Sequence, residues 1–289
     1  PLSGFNAGGT GKKFLTNAPR VALSQAVGGA VLGVKQNIGA SESAALYFYN
    51  PVQGASARHD RVVVKAYDSS NTLLNISEIT NPYVLGATYP QRHNRIGVGT
   101  AQLNAMVNGD LVNPTAPVLP ATTAYYNVNL QTSSSGVTSE IAQYNIVTKC
   151  PKATETYRVV WLNIMGGYDS FTFYGQNQRT ATYERKTYKK QAGSFVGGVF
   201  TQALGDRQTT QFFTNIKDSY KVNSDWITET ESTWLEDLFS SPDVYVVSSS
   251  LIPINVTDSS YTFKTTSRDS LFNIEITFTP NWERTRQQW

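Results

Sequence analysis

The sequence predicts an all-β protein, mainly antiparallel, with one short helix packed on the C-terminal sheet. Short segments rich in Val, Tyr and Thr recur along the chain, bounded by Gly, Pro, Asn or Ser, which is typical of strands joined by turns. Aromatic residues make up 12% of the 289 residues, and aromatic side chains favour strands. Only one segment combines the start signal of a helix with helical periodicity.

Four strands are predicted in the first half of the chain. They are "ALYFYNP" from Ala45, "RVVVKAYD" from Arg61, "AYYNVNLQ" from Ala124 and "YNIVTKC" from Tyr144. The turn "DSSN", residues 68–71, follows the second of them, and such residues favour turns because their side chains bond the local backbone. This half therefore predicts a β domain.

The second half repeats the pattern. Between residues 157 and 175, "YRVVWLNI", "GGYD" and "SFTFYG" predict a strand, a turn and a returning strand. The segment "SLFNIEITFTP", residues 270–280, alternates polar with apolar residues. This period of two predicts a strand with one buried face, formed by Phe272, Ile274, Ile276 and Phe278.

The helix is predicted over residues 229–239. Thr228 is a candidate N-cap, and Glu231 follows three residues later, which is the spacing of a capping box. Trp234 and Leu238 lie on one helical face, so we expect them to anchor the helix in the core. The acidic residues of the segment are expected on the opposite side: Glu229, Glu231, Glu236 and Asp237.

Gly166, Gly167 and Asp169 lie between two apolar runs and allow two interpretations. A phosphate-binding loop leads into a helix and carries Lys and Ser or Thr for the phosphates. Here the chain continues with alternating polar and aromatic residues, which indicates a strand. We therefore predict a structural turn in which the glycines supply positive φ angles and Asp169 bonds the local backbone.

The sequence predicts no catalytic, metal-binding or cofactor-binding site. Cys150 is the only cysteine, and His59 and His93 are the only histidines, which excludes a disulfide framework and makes a cysteine or multi-histidine metal site improbable. His59 and Asp60 are adjacent, and adjacent strand residues point to opposite faces, so they do not form a dyad. We expect a protein that is not an enzyme and has no cofactor.

A basic run lies in a predicted loop, residues 179–205. Its first twelve residues hold one acid, Glu184, and a net charge of +4, whereas the rest of the chain carries −1. The basic residues are Arg179, Arg185, Lys186, Lys189 and Lys190. They could contact nucleic acid, since tyrosines are interleaved with them. We favour an inter-subunit contact, for which the acids of residues 229–237 in a neighbouring copy would serve.

Length and composition suggest two β domains, residues 1–151 and 152–289, divided near the linker-like "KCPKATET". The longest weakly polar run, from Val21 to Val34, has 14 residues and is shorter than the roughly 20 that span a membrane. No membrane partner is therefore expected.

Several motifs of the second half resemble those of virion structural proteins from tailed phages that infect Bacteroidota, including crAss-like phages. The resemblance covers roughly residues 145–289 and includes the segment from Trp234 to Tyr245 and the terminal strand. The other matching residues are Cys150, Lys152, Tyr157, Trp161, Leu162, Asn163, Gly166, Gly167, Asp169, Phe171, Phe173, Glu184 and Arg185.

The resemblance implies a tail, collar or neck component built as a ring of identical subunits, located in the virion and without enzyme activity. By analogy, its core would be of the sandwich or split-barrel type, and its partners would be itself and other virion proteins. The alternative function is a carbohydrate-binding or host-adhesion β-sandwich, which would display exposed Trp and Tyr. A hydrolase would need two converging carboxylates, for which Asp169, Glu184 and Asp206 are the candidates.

Overall fold

The computed structural model describes residues 35–49, 60–80, 93–106, 117–132, 141–147, 155–248, 250–258 and 271–285. Across these residues the protein is mostly strand, arranged in several antiparallel sheets with two helices. This confirms the predicted all-β class with a short helix in the C-terminal half. Cys150, His59 and the predicted boundary at residue 151 lie outside the described residues.

The described residues of the first half form seven strands and one short helix. In chain order these are β1 (Gln36–Ile38), β2 (Ala45–Tyr49), β3 (Arg61–Tyr67), β4 (Leu73–Thr80), β5 (His93–Gly97), α1 (Thr100–Asn104), β6 (Tyr125–Gln131) and β7 (Ala142–Ile146). Five strands form one sheet in the order β1-β7-β6-β3-β4, with β1 parallel to β7 and the other pairs antiparallel. Strands β2 and β5 form a separate antiparallel pair.

The core of this half lies between the five-stranded sheet and the β2–β5 pair. Val62 and Val64 of β3 and Tyr126 of β6 are fully buried there, together with Phe48 of β2. The Tyr126 hydroxyl donates to the Val98 carbonyl oxygen at 2.8 Å, which satisfies a polar group that burial would otherwise penalise.

Helix α1 is an element that the sequence analysis does not predict. It follows Gly99, whose backbone passes so close to residue 44 that a Cβ atom would collide with the Ala44 nitrogen. The Gln102 side chain accepts hydrogen bonds from the backbone N–H groups of Gly99 and Ala44, at 2.9 and 3.0 Å. A tertiary contact therefore starts this helix, which is why local patterning misses it.

In the part of the second half that the structure describes there are ten strands and one helix. These are β8 (Tyr157–Leu162), β9 (Tyr168–Phe173), β10 (Gln178–Lys189), β11 (Ser194–Val196), β12 (Val199–Thr201), β13 (Thr209–Thr228), α2 (Glu229–Ser240), β14 (Val244–Val247), β15 (Leu251–Val256), β16 (Leu271–Pro280) and β17 (Arg284–Thr285). Eight strands form one sheet in the order β10-β13-β16-β15-β14-β8-β9, in which β17 also pairs with β13.

The core of the second half lies between one face of this sheet and helix α2. On β16, Ile274, Ile276 and Phe278 are buried while Glu275 is exposed, as the period of two predicts. Helix α2 begins after Thr228, whose side chain accepts from the Glu231 backbone N–H, while the Glu231 side chain accepts from the Thr228 backbone. The predicted capping box is thus present.

The segment from 179 to 205 differs from the predicted loop. Residues 178–189 are strand β10, paired with β13, and residues 194–201 form the small hairpin β11–β12. The interpretation as a loop was wrong for these residues. Their many polar and charged side chains pair across strands that are exposed on both faces, so the apolar alternation of a half-buried strand is absent.

Candidate assembly interface

The glycine turn joins β8 to β9 as a hairpin. Gly166 has a φ angle of +83°, which explains the need for glycine at that position. Asn163 Oδ1 accepts from the backbone N–H groups of Met165 and Gly167, at 3.0 Å each. Asn163 thus bonds the turn in the way that the sequence analysis assigned to Asp169.

Asp169 lies on β9, beyond the turn, and is buried. Its Oδ2 accepts a hydrogen bond of 3.0 Å from Trp234 Nε1 on α2. Trp234 also packs against Trp161, with the ring centroids 5.2 Å apart. A second bond, from the Ile164 N–H to Asp237 Oδ2 at 3.1 Å, joins the turn to the same helix. The predicted anchors Trp234 and Leu238, exposed by 3% and 1%, lie in this core.

A buried ion pair connects the two halves of the chain. Arg158 Nη1 lies 2.7 Å from Glu42 Oε2, and the Arg158 side chain is 6% exposed. The hydroxyls of Thr172 and Tyr174 also donate to the Glu42 carboxylate. Burial, followed by the charge of Glu42, raises the pKa of the Tyr174 hydroxyl. This cluster is a structural junction, since the three side chains that donate to the Glu42 carboxylate all belong to the other half.

An exposed arm projects from the second sheet. β13 pairs with β16 between Tyr220 and Thr228 and with β17 at Asn215 and Ile216, but from Thr214 back to Thr209 it pairs with β10 alone in the described chain. We define the arm as residues 185–214. It consists of this two-stranded ribbon and, at its tip, the hairpin β11–β12, which turns through Gly197 and Gly198 at φ angles of +62° and +84°.

The arm carries much of the exposed apolar surface. Eight of the fifteen exposed large hydrophobic side chains among the described residues lie within it: Tyr188, Phe195, Val196, Val199, Phe200, Leu204, Phe212 and Phe213. Phe195 is 71% exposed. Monomeric proteins rarely expose apolar residues in contiguous groups, which is why such groups indicate an interaction site.

The hairpin residues fall within the predicted loop, residues 179–205, and were not expected to form an apolar surface. The symmetric run "SFVGGVF" nevertheless carries a hairpin signal. Apolar residues that flank a Gly-Gly pair on both sides are typical of a two-residue β turn.

The basic residues do not form one surface. Arg179 lies at the base, where it pairs with Asp218 at 3.0 Å, and Arg284 contacts the same carboxylate. Arg185 lies over the ring of Tyr183 and Lys186 over that of Phe213, both at 5.5 Å. Because successive strand residues point to opposite faces, Arg185 and Lys186 lie on different sides of the ribbon. Lys189 and Lys190 are exposed near its far end.

The acids of α2 are only partly available to a neighbouring copy. Glu229 is exposed, but Glu231 and Asp237 are 7% and 3% exposed. Glu231 closes the capping box and accepts from Asn37 Nδ2, and Asp237 accepts from the turn. The expectation that all four acids face solvent was wrong, because this side of the helix packs against the turn and β1.

The residues of the alternative functions are dispersed. Trp226 and Trp282 are 58% and 54% exposed, while Trp161 is buried. Trp282 lies next to β17, which pairs with Ile216, ten positions from Trp226 and therefore about 30 Å along β13. Of the candidate acids, Asp169 is buried in the core, whereas Glu184 lies on β10 and Asp206 in the arm, both exposed.

Within the described residues there is no group of three or more His, Cys, Asp or Glu side chains placed to hold a metal ion. The helices that the structure describes are all too short or too polar to cross a membrane. Comparison of the chain with protein-family models, with curated proteins and with solved structures gives no match.

Proposed function

We propose that the protein is a structural component of a phage virion, a ring-forming tail, collar or neck protein that assembles with copies of itself through the arm. In this role it has other virion proteins as partners, performs no catalysis and needs no cofactor. The proposal combines the motif resemblance of residues 145–289 with the geometry of the second half.

The observation that carries the proposal is the exposure of the arm. A two-stranded ribbon has no core of its own and is marginally stable in water when nothing covers it. The arm nevertheless holds eight large exposed apolar side chains on a body that is otherwise well packed. Covering them in an assembly explains their presence, and the rigid second sheet supplies the support from which the arm projects.

Contact with DNA is the less favoured role for the basic residues. A DNA-binding surface gathers cations on one face to follow the phosphates. Here Arg179 is held in an ion pair with a buried carboxylate, and Arg185 and Lys186 lie over aromatic rings on opposite sides of the ribbon, which leaves two cations, Arg185 and Lys189, together on one side of β10 in the arm. Cations placed over aromatic rings instead suit protein contacts.

The test is the mass of the purified protein by light scattering, with electron microscopy of the same sample and of virions. We expect a closed ring with the arm at the contact between subunits. A monomer at every concentration, with no place in any particle, would contradict the proposal. A glycan array would then test the carbohydrate-binding alternative, with Trp226→Ala and Trp282→Ala as the variants expected to lose binding.

A further inference from the structure

The tip of the arm has two different apolar faces. Phe195 lies opposite Phe200 in the β11–β12 register, and their ring centroids are 5.3 Å apart. Val196 lies opposite Val199. Since side chains alternate along a strand, the two phenylalanines form one face of the hairpin and the two valines form the other. Both faces are exposed, so the tip has no covered side in the described chain.

The ribbon behind the tip also differs between its faces. One face carries Arg185 and, four residues later, Lys189, since residues two and four apart share a side. The other carries Tyr188, whose ring lies 5.9 Å from that of Phe212, and Lys186 over Phe213. One face therefore carries two cations, of which Arg185 lies over the Tyr183 ring, and the other carries three aromatic rings and one cation, Lys186. Cations and aromatic rings attract one another when they are brought into contact.

We propose that the arms of neighbouring copies stack face to face, so that the Phe195–Phe200 face of one tip packs on the Val196–Val199 face of the next. In the ribbons, the cationic face of one copy lies on the aromatic face of its neighbour. The occupant of each face is thus a second copy of this chain. The inference rests on the proposed self-assembly and specifies its geometry.

The chemistry of the faces favours a head-to-tail arrangement. If two arms stacked about a two-fold axis, each face would pack on the same face of the other copy. Arg185 and Lys189 would then lie against Arg185 and Lys189 of the second copy, and this like-charge contact is unfavourable. Stacking of unlike faces repeats the same contact from copy to copy, and such a heterologous contact closes into a ring when the rotation permits.

A lipid surface is the less favoured occupant of the tip. The tip is apolar with Lys189, Lys190 and Arg207 nearby, a pattern that suits anionic lipids. An interfacial segment, however, buries its apolar face only about 5–10 Å deep. Phe213 lies four residues, about 13 Å of strand, behind the far end of the ribbon at Thr209, so a bilayer that covered the tip would leave this part of the ribbon exposed.

The experiment is site-specific cross-linking in a Cys150→Ser background. One chain carries Phe195→Cys and a second, distinguished by a mass tag, carries Val196→Cys. Stacked sheets lie about 10 Å apart, which exceeds the reach of a disulfide, so a short bismaleimide is used. We expect cross-linked pairs of unlike chains in the mixture and little product from either chain alone. Asn255→Cys, exposed on the body, is the matched control and should give no product.

The outcomes separate the stacking from the assembly. Cross-linking of Phe195→Cys chains with themselves would overturn head-to-tail stacking, as would an intact multimer, by light scattering, that yields no unlike pairs. In both cases the proposed self-assembly would stand. A protein that remains monomeric would overturn both, and tip-dependent sedimentation with vesicles of phosphatidylglycerol would assign the tip to lipid. As a second variant, Phe195→Ser with Phe200→Ser should reduce the multimer to monomer without changing the unfolding of the body.

Discussion

The bond between Trp234 and Asp169 predicts how strongly α2 is held to the sheet. Replacing Trp234 with Phe removes the indole N–H that donates to the buried Asp169 carboxylate at 3.0 Å. A hydrogen bond to a charged group contributes about 1.5–3 kcal/mol. The smaller ring also leaves a gap beside Trp161, which costs about 1 kcal/mol more. We therefore expect Trp234→Phe to lower the free energy of unfolding by about 2–4 kcal/mol.

The assay is urea unfolding followed by circular dichroism, because the substitution itself alters tryptophan fluorescence. Trp226→Phe is the control: this side chain is 58% exposed, and its substitution should change the free energy by no more than about 0.5 kcal/mol. A double-mutant cycle with Asp169→Ala isolates the bond, because alanine has no acceptor for the Trp234 N–H, and we expect a coupling energy of at least about 1 kcal/mol. A Trp234→Phe variant as stable as the wild type, or additive effects in the cycle, would refute the role assigned to this pair.

Three further substitutions have defined expectations. Glu42→Ala leaves the buried charge of Arg158 without its ion-pair partner, so the free energy of unfolding should fall by about 3 kcal/mol in urea unfolding. Gly166→Ala places a Cβ at a φ angle of +83° and should cost about 1–2 kcal/mol in the same assay. The hydrogen bond to Asp243 raises the pKa of Tyr168 to about 12. The stability that this bond contributes is therefore fully present below pH 10.0, the ordinary pKa of tyrosine, and is lost as the pH rises toward 12. Tyr168→Phe should therefore flatten the decline of the melting temperature above pH 10, measured by thermal unfolding across pH.

The Glu42 and Gly166 substitutions each have a matched comparison variant. Glu275→Gln breaks the exposed ion pair with Lys221, whose two side chains are about half exposed, and should change stability by less than about 1 kcal/mol. Gly205→Ala meets no atom within 4 Å of the added Cβ and should be close to neutral. A Glu42 effect no larger than that of Glu275, or a Gly166 effect no larger than that of Gly205, would contradict the corresponding argument. So would an alkaline decline that is unchanged in Tyr168→Phe.

The features that the sequence predicts well are those whose causes lie close together in the chain. The capping box of Thr228 and Glu231 spans three residues, and the helix forms where it predicts. The β8–β9 hairpin and the alternation of β16 are likewise set by neighbouring residues. In each case the backbone conformation follows from local hydrogen bonding or from a two-residue period, and no distant part of the chain is needed.

The features that the sequence predicts poorly depend on contacts between distant residues. The charges of Glu231 and Asp237 indicate that they face solvent. In the structure, however, Glu231 accepts a hydrogen bond from Asn37, far away in the chain, and Asp237 accepts one from the backbone of the glycine turn. In the sequence Asp169 resembles a turn residue, but in the structure its carboxylate accepts a hydrogen bond from Trp234. Polar groups of this kind are stable when buried because they are paired, and sequence periodicity does not identify the partner.

The interpretation of the basic run depends on register in the same way. Composition gives a net charge of +4 over residues 179–190, and this value is the same whether the cations line one face or two. The strand conformation of β10 decides between them, because adjacent strand residues face opposite sides. The pairing with β13 then sets the neighbours of the cations: Arg185 lies opposite Thr214 and Lys186 opposite Phe213, and after the register shift that follows Lys186 the Tyr188 ring contacts that of Phe212. A slip of one residue would move every side chain of β10 to the other face. The preference for a protein partner over DNA therefore follows from strand register, which places the aromatic rings within reach of the charges.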